Sequence, residues 1–311
     1  MLSSSPLLAQ ALSAAPLADG ESAVNLHHMA NWFAYTPMQY QSVLHVFTLG
    51  YGVFAAALVF FILTLRKSHD RFQLSSVISC VVTISAGLIL YHQSSVWENA
   101  FVFNEATGMY ERIEGRLFSN GFRYMNWMID VPNLLLSMLV LLPLAGAARS
   151  NITKWGAQFV VAGLVMVFCS WLGSFWEQGQ HVAGRGTFWF WVNYLIGWVA
   201  YVWILVVVWQ VINAGLEVLP ERSAKLLRTI RTIFLISWTV YAFTLVQPLF
   251  WWSPVSVVTR QFLFTLADIT SKAIYGVLLA TIGFQLTDEF AARGENQSKL
   301  TASGEPAHAE A

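Results

Sequence analysis

Two charges sit in a stretch that is otherwise apolar. In Phe264-Thr265-Leu266-Ala267-Asp268-Ile269-Thr270-Ser271-Lys272-Ala273-Ile274-Tyr275-Gly276, Asp268 and Lys272 are four residues apart, which puts both on one face of a helix. A single charge at mid-bilayer costs roughly 2.5 to 3.5 kcal/mol, so charges in such a place are paired, neutralised or used. A second group lies in Arg123-Tyr124-Met125-Asn126-Trp127-Met128-Ile129-Asp130-Val131-Pro132-Asn133. Here Arg123, Asn126 and Asp130 recur at i, i+3 and i+7, so one helical stripe presents a cation, an amide and a carboxylate. A lysine kept from water is a nucleophile whose free amine condenses with an aldehyde to a Schiff base. The protonated product is again a cation, and Asp130 and Asp268 are the carboxylates at a suitable depth to balance it. The plainer reading of the pair is a buried salt bridge holding two helices in register. Trp127, Trp238 and Tyr241 stand nearby in the sequence, and position alone leaves open whether they line a bound group or pack as membrane aromatics commonly do.

The elements that must position these residues follow from composition. The 311 residues are 56% hydrophobic and only 11% charged, against about 25% charged in soluble domains, so the chain lacks the polar surface of a water-exposed globule. Lys+Arg 17 balances Asp+Glu 17, and without a cationic surplus nucleic acid is not an expected partner. Cys80 and Cys169 lie in apolar runs with no CxxC spacing, which predicts neither a disulfide framework nor a structural metal. A membrane helix needs about 20 apolar residues, and seven such runs stand between polar breaks, at 41–65, 73–97, 121–147, 153–176, 187–214, 226–251 and 256–286. The expected fold is an all-α bundle of seven transmembrane helices.

Arg66, Lys67 and Arg71 lie in the first loop, Arg149 and Lys154 in the third, and Arg222, Lys225, Arg228 and Arg231 in the fifth. Short cytoplasmic loops carry the Lys and Arg excess, so the N-terminus is expected outside and the C-terminus inside. In the long second loop, Phe101-Val102-Phe103-Asn104, then Glu105-Ala106-Thr107-Gly108 and Met109-Tyr110, predict an outer β-hairpin with a glycine-assisted turn. Residues 1–38 read as an outer segment with a short helix near His27 to Phe33, 39–290 as the seven-helix domain, and 291–311 as a polar, disordered tail.

Taken together, Asp268-Ile269-Thr270-Ser271-Lys272, Arg123-Tyr124 with Trp127 and Pro132, and Trp238 with Tyr241 resemble the retinal-binding signature of microbial rhodopsins. The resemblance spans all seven runs. It implies all-trans retinal attached to Lys272 as a protonated Schiff base, with Trp127, Trp238 and Tyr241 along the polyene, and a membrane protein that transports an ion and is not an enzyme. The family's transport types are sorted by three positions of the third helix. Outward proton pumps carry Asp, Thr and an acidic donor, whereas this chain carries Asn126, Asp130 and Ser137. Asn followed by Asp resembles the light-driven sodium pumps, as do His45 with Thr48-Leu49-Gly50-Tyr51-Gly52, Phe103-Asn104-Glu105, Ser119-Asn120-Gly121-Phe122-Arg123, Val211-Ile212-Asn213 and Ser85.

What the resemblance implies is an outward sodium pump in a bacterial cytoplasmic membrane, in which Asp130 is counter-ion and proton acceptor. Sodium binds transiently near Asn126, Asp130 and Asp268, no metal is permanent, and protons are carried when sodium is scarce. The ion pathway would take in Ser76, Ser79 and Ser137 on the inner side and Glu177 with Arg260 on the outer side. Departures from the subgroup are Ser137 for Gln, Ser76 for Asn, Ala280 for Gly, and Arg116 where an acidic residue helps bind a cation between protomers. Ala242 replaces the proline that usually follows Tyr241, which predicts a straighter sixth helix. The resemblance also implies a homo-oligomer, a pentamer. A proton pump of unusual motif and a sensory photoreceptor are the competing readings.

Overall fold

The computed structural model describes residues 28–181 and 186–303. Seven helices cross the fold: α1 (Pro37–Thr64), α2 (Asp70–Ala100), α3 (Gly121–Leu141), α4 (Ile152–Ser174), α5 (Phe188–Val218), α6 (Glu221–Phe250) and α7, which runs through Pro254–Asp268, a π-helical stretch Ile269–Ile274 and Tyr275–Ser303. All seven are long and apolar enough to span a membrane. Each packs against its neighbours in sequence, and α7 closes the ring by packing against α1.

The helix starts are chemically marked. Thr36 and Gln39 form a reciprocal capping box at α1, with the Gln39 N–H donating to Thr36 Oγ1 at 3.2 Å and the Thr36 N–H to Gln39 Oε1 at 2.9 Å, and Pro37 occupies the first turn, where its missing N–H is no loss. At α7 the Ser253 hydroxyl accepts the Ser256 N–H at 3.1 Å and Pro254 opens the first turn, without the reciprocal bond. The third helix stops at Leu141 rather than near 147, because Leu142 precedes Pro143 and takes an extended conformation, as residues before proline do. α6 is unbroken through Ala242, and the proline inside it, Pro248, lies near its end.

The hairpin forms where expected. β1 (Phe101–Asn104) pairs antiparallel with β2 (Met109–Arg112), and Gly108 takes φ +67° in the turn, a conformation glycine adopts without a Cβ penalty. Tyr35 bridges to the free side of β2 through Tyr110, with N–H···O distances of 2.9 and 2.7 Å. Before it, Met29–Trp32 form a short helix, one 3₁₀ turn; His27 and the rest of 1–27 lie outside the described residues. At the other terminus α7 stays helical to Ser303, past the boundary expected at 290. Residues 304–311 are outside the described set.

The solvent pattern is that of a membrane protein turned outward. Leu63, Leu88, Leu195, Val199 and Phe243 are exposed, while Arg123, Asp130, Arg260, Asp268 and Lys272 are buried. The hairpin and the Met29–Trp32 turn lie at one end, and the basic loops follow α1, α3 and α5 at the opposite, basic end.

Candidate functional site

The two charged stripes predicted from spacing meet. Lys272 Nζ lies 2.7 Å from Asp268 Oδ1 and 3.0 Å from Asp130 Oδ2, so the amine is held between carboxylates from α7 and α3. All three are at most 3% exposed, and a buried charge persists only when paired in this way. Lys272 sits in the π-helical stretch, an irregularity frequent at functional sites.

The two carboxylates are built differently. Asp130 accepts from Asn126 Nδ2 at 2.6 Å and from Ser85 Oγ at 2.5 Å. Asp268 accepts from Trp127 Nε1 at 3.0 Å and Tyr241 Oη at 2.8 Å, and faces Arg123 at 3.5 Å. The Arg123 guanidinium also donates to Thr265 Oγ1 at 2.9 Å and lies over the rings of Phe47 and Phe264, which offsets its burial. Thus Asp130 has short, neutral donors and Asp268 is fixed by aromatic donors and a cation.

Beside Lys272 lies an apolar cavity of about 730 Å³ including its mouth, bounded by α3, α4, α5, α6 and α7. Trp127, Trp238 and Tyr241 line it as expected. Trp238 is stacked on Phe234 with ring centroids 4.2 Å apart. Sequence reasoning missed Tyr194, Trp198 and Tyr201 of α5 and Ser170 of α4, which line the same space, and Ser271, whose hydroxyl is 3.0 Å from that of Tyr241. α4 and α5 are apolar over most of their length, so periodicity gives no clear inward face to find; Ser271, three residues after Asp268, could have been found from that spacing. The lining is that of a small-molecule site with few polar groups, and the donor set fits a long apolar molecule with one group that reacts with an amine.

Toward the hairpin end, Glu177 and Arg260 come together as expected, with Arg260 donating to Glu177 Oε2 at 2.8 Å and both fully buried. Burial pushes the Glu177 carboxyl up from its ordinary range, with Arg260 and the Met29 N–H opposing. Gln93 Oε1, Gln261 and Asn120 hold buried polar atoms with no hydrogen-bond partner in the protein, a composition that suits water. At the basic end Ser76, Ser79 and Ser137 are buried, but Ser79 and Ser137 donate to carbonyls of their own helices, Ser75 and Leu134, at 3.0 and 2.7 Å. The structure does not join these serines in one polar line. Arg116 is exposed in the loop after β2.

Comparison with known proteins agrees with this arrangement. The bacteriorhodopsin-like protein family matches residues 41–286. Among solved structures the chain is similar to xanthorhodopsin, described as a light-driven ion pump with dual chromophore, at 26% identity over 83% of this chain and 98% of that one, with a TM-score of 0.73. It has the fold of a thermophilic rhodopsin (24% identity, 82% and 98% covered, TM-score 0.73) and of the light-driven proton pump Coccomyxa subellipsoidea rhodopsin (14%, 77% and 96%, 0.57). A search of curated proteins finds no match. With seven membrane helices, a lysine between two carboxylates and a family match over most of its length, the chain belongs to the bacteriorhodopsin-like microbial rhodopsins.

Proposed function

We propose that the chain is a light-driven outward sodium pump of a bacterial cytoplasmic membrane, with its hairpin end outside and all-trans retinal attached to Lys272. The cavity supports that cofactor: it is apolar, walled by aromatic rings and ends on the amine. When bound, retinal supplies absorption of visible light and a change of shape at the Lys272 nitrogen.

The protein's own groups do the rest. Asp130, 3.0 Å from that nitrogen, balances its charge in the dark and takes its proton after illumination; Ser85 and Asn126 hold the carboxyl in place for the transfer. With the positive charge gone, a hard cation no longer meets repulsion and finds oxygen ligands on Asn126, Asp268 and water. Asp268, fixed by Trp127 and Tyr241, remains the negative partner. Return of the proton from Asp130 restores the positive charge behind the ion, which leaves past Arg123 toward Gln93, Asn120 and Gln261.

The observation that carries sodium over proton is the distribution of acids. Among the described residues the buried carboxylates are Asp130, Glu177 and Asp268, and none lies between Lys272 and the basic end, where Ser137 stands in α3. A proton pump needs a donor on that side; here the acid positioned to return the proton is Asp130 itself, so the proton shuttles and another cation moves. The test is to illuminate cells expressing the protein in NaCl and in KCl, with and without a protonophore, while following external pH. Sodium export gives alkalinisation that requires sodium and grows with protonophore. Acidification in NaCl that protonophore abolishes refutes it in favour of proton export, and no sustained change in either salt refutes it in favour of a photoreceptor.

A further inference from the structure

The hairpin end holds a second cavity, of about 430 Å³, between the Met29–Trp32 turn, the chain leading into α3 and the end of α4. His28, Asn31, Phe118, Asn120, Tyr124 and Ser174 are on its wall. It lies on the outlet proposed above, and the segment that covers it is tied to the rest of the fold through Met29, Asn31 and Tyr35. The Met29 N–H donates to Glu177 Oε1 at 2.9 Å. Asn31 and Phe118 exchange two hydrogen bonds, each 2.9 Å. Tyr35 Oη donates to Ala30 O at 2.7 Å. That bond lies within the segment, whose Tyr35 backbone pairs outward with Tyr110 at 2.9 and 2.7 Å; also within it, His28 Nδ1 accepts the Ala30 N–H at 3.1 Å and so caps the turn.

That bond fixes the tautomer. With Nδ1 an acceptor, the neutral ring carries its proton on Nε2, which has no hydrogen-bond partner and stands 4.0 Å from Glu177 Oε1. A second proton has one place to go, Nδ1, where it would face the Ala30 N–H, donor against donor. The cap is then lost, and a ring that turns toward Glu177 competes with the Met29 N–H for the same oxygen. The groups facing His28 are Glu177, beyond α4, Arg260 of α7, and Tyr124 of α3 on the cavity wall; Phe118 and Asn120 carry no titrating group.

We propose that His28 is a positioning residue of the outlet: in its singly protonated form it latches the Met29–Trp32 turn in place over the cavity, and a second proton on Nδ1 loosens that turn. Burial first, then Arg260, holds the ring's pKa well below 6.5, so the latch is closed at neutral pH. Because that value is lowered on folding, the ring's contribution to closure is complete above about 6.5 and is lost as pH falls through the lowered value. Glu177 gains its proton on the same descent, so the experiment must separate the two.

The proposal deepens the outward-pump reading, and its test does not depend on which ion moves. Backbone hydrogen exchange over residues 28–36 is measured in the dark, on the full chain in lipid nanodiscs, from pH 8 to pH 4 and corrected for intrinsic exchange. The wild type should lose protection toward acid by about fivefold, the worth of one cap, and a wild type as protected at pH 4 as at pH 8 overturns the proposal. His28→Asn, whose side-chain oxygen can cap Ala30 without titrating, should stay protected across the range. His28→Ala should be about fivefold less protected at pH 8 already. An Asn variant that opens in acid like the wild type assigns the switch to Glu177 and overturns the proposal, as does an Ala variant with wild-type protection at pH 8. Transport assays on the same proteins bear on the pump reading separately.

Discussion

Glu177 and Arg260 offer the sharpest energetic test, because both are fully buried and joined by one 2.8 Å contact. Removing one partner of a buried pair costs about 3–5 kcal/mol, most of it the penalty of the charge left behind. Glu177→Leu leaves Arg260 uncompensated and also strips the Met29 N–H of its acceptor, a further loss of about 1–3 kcal/mol. Arg260→Met leaves Glu177 with the Met29 N–H, so it should cost about 3 kcal/mol, the lower end of the range. The double variant has no buried charge to strand, and it should be less destabilised than Glu177→Leu alone by about 2 kcal/mol or more. Unfolding by SDS in mixed micelles, followed by tryptophan fluorescence, reads all three against the wild type. Losses in the double variant that equal the sum of the single ones would show that the two residues do not act as a pair, and the energetic reasoning would fail.

Lys272→Ala should abolish the visible absorption band on reconstitution with retinal, and a retained band would refute the attachment. Asp130→Asn keeps the size of the side chain next to Lys272 but removes the acceptor carboxylate; light-driven sodium export should vanish, and full export would refute its role. At Gly276 an added Cβ would meet Phe61 Cζ at 2.7 Å and Ser79 Oγ at 3.2 Å, so Gly276→Val should destabilise by about 1–3 kcal/mol in the same SDS titration. The exposed pair of Arg228 and Glu221, 3.0 Å apart, should by contrast be worth under about 1 kcal/mol, and Arg228→Ala should leave the transition almost unmoved.

The charged half of the site was legible because charge in an apolar helix is conspicuous and helical spacing converts it directly to a face. Arg123, Asn126 and Asp130, with Asp268 and Lys272, needed nothing more to be placed opposite each other. Ser85 was legible only through resemblance, since a serine in a membrane helix usually donates to its own backbone. The cavity walls from α4 and α5 were hidden by the reverse problem: when every face of a helix is apolar, lipid and interior leave the same trace, and Tyr194, Trp198 and Tyr201 cannot be told from Trp189 or Trp203. The ends of helices were readable where capping residues or prolines act locally, as at Thr36, Ser253 and Pro143. His28 was unreadable because its role depends on Glu177, 149 positions away in the chain.

The π-helical stretch of α7 has a consequence for the whole basic half of the bundle. A π-turn holds one residue more than the helix around it, so everything after Ile274 is rotated by about 100° from where an unbroken α-helix would put it. Tyr275, Leu279, Ile282 and Leu286 are buried in that rotated frame. Deleting one residue between 269 and 274 would therefore let the stretch close into an ordinary α-helix with this row still turned inward, whereas regularising the stretch with all its residues kept would swing the row from the interior toward the lipid face. The phase of α7 is set twice, once on each side of the lysine, and the surplus residue is the joint that lets the two settings differ.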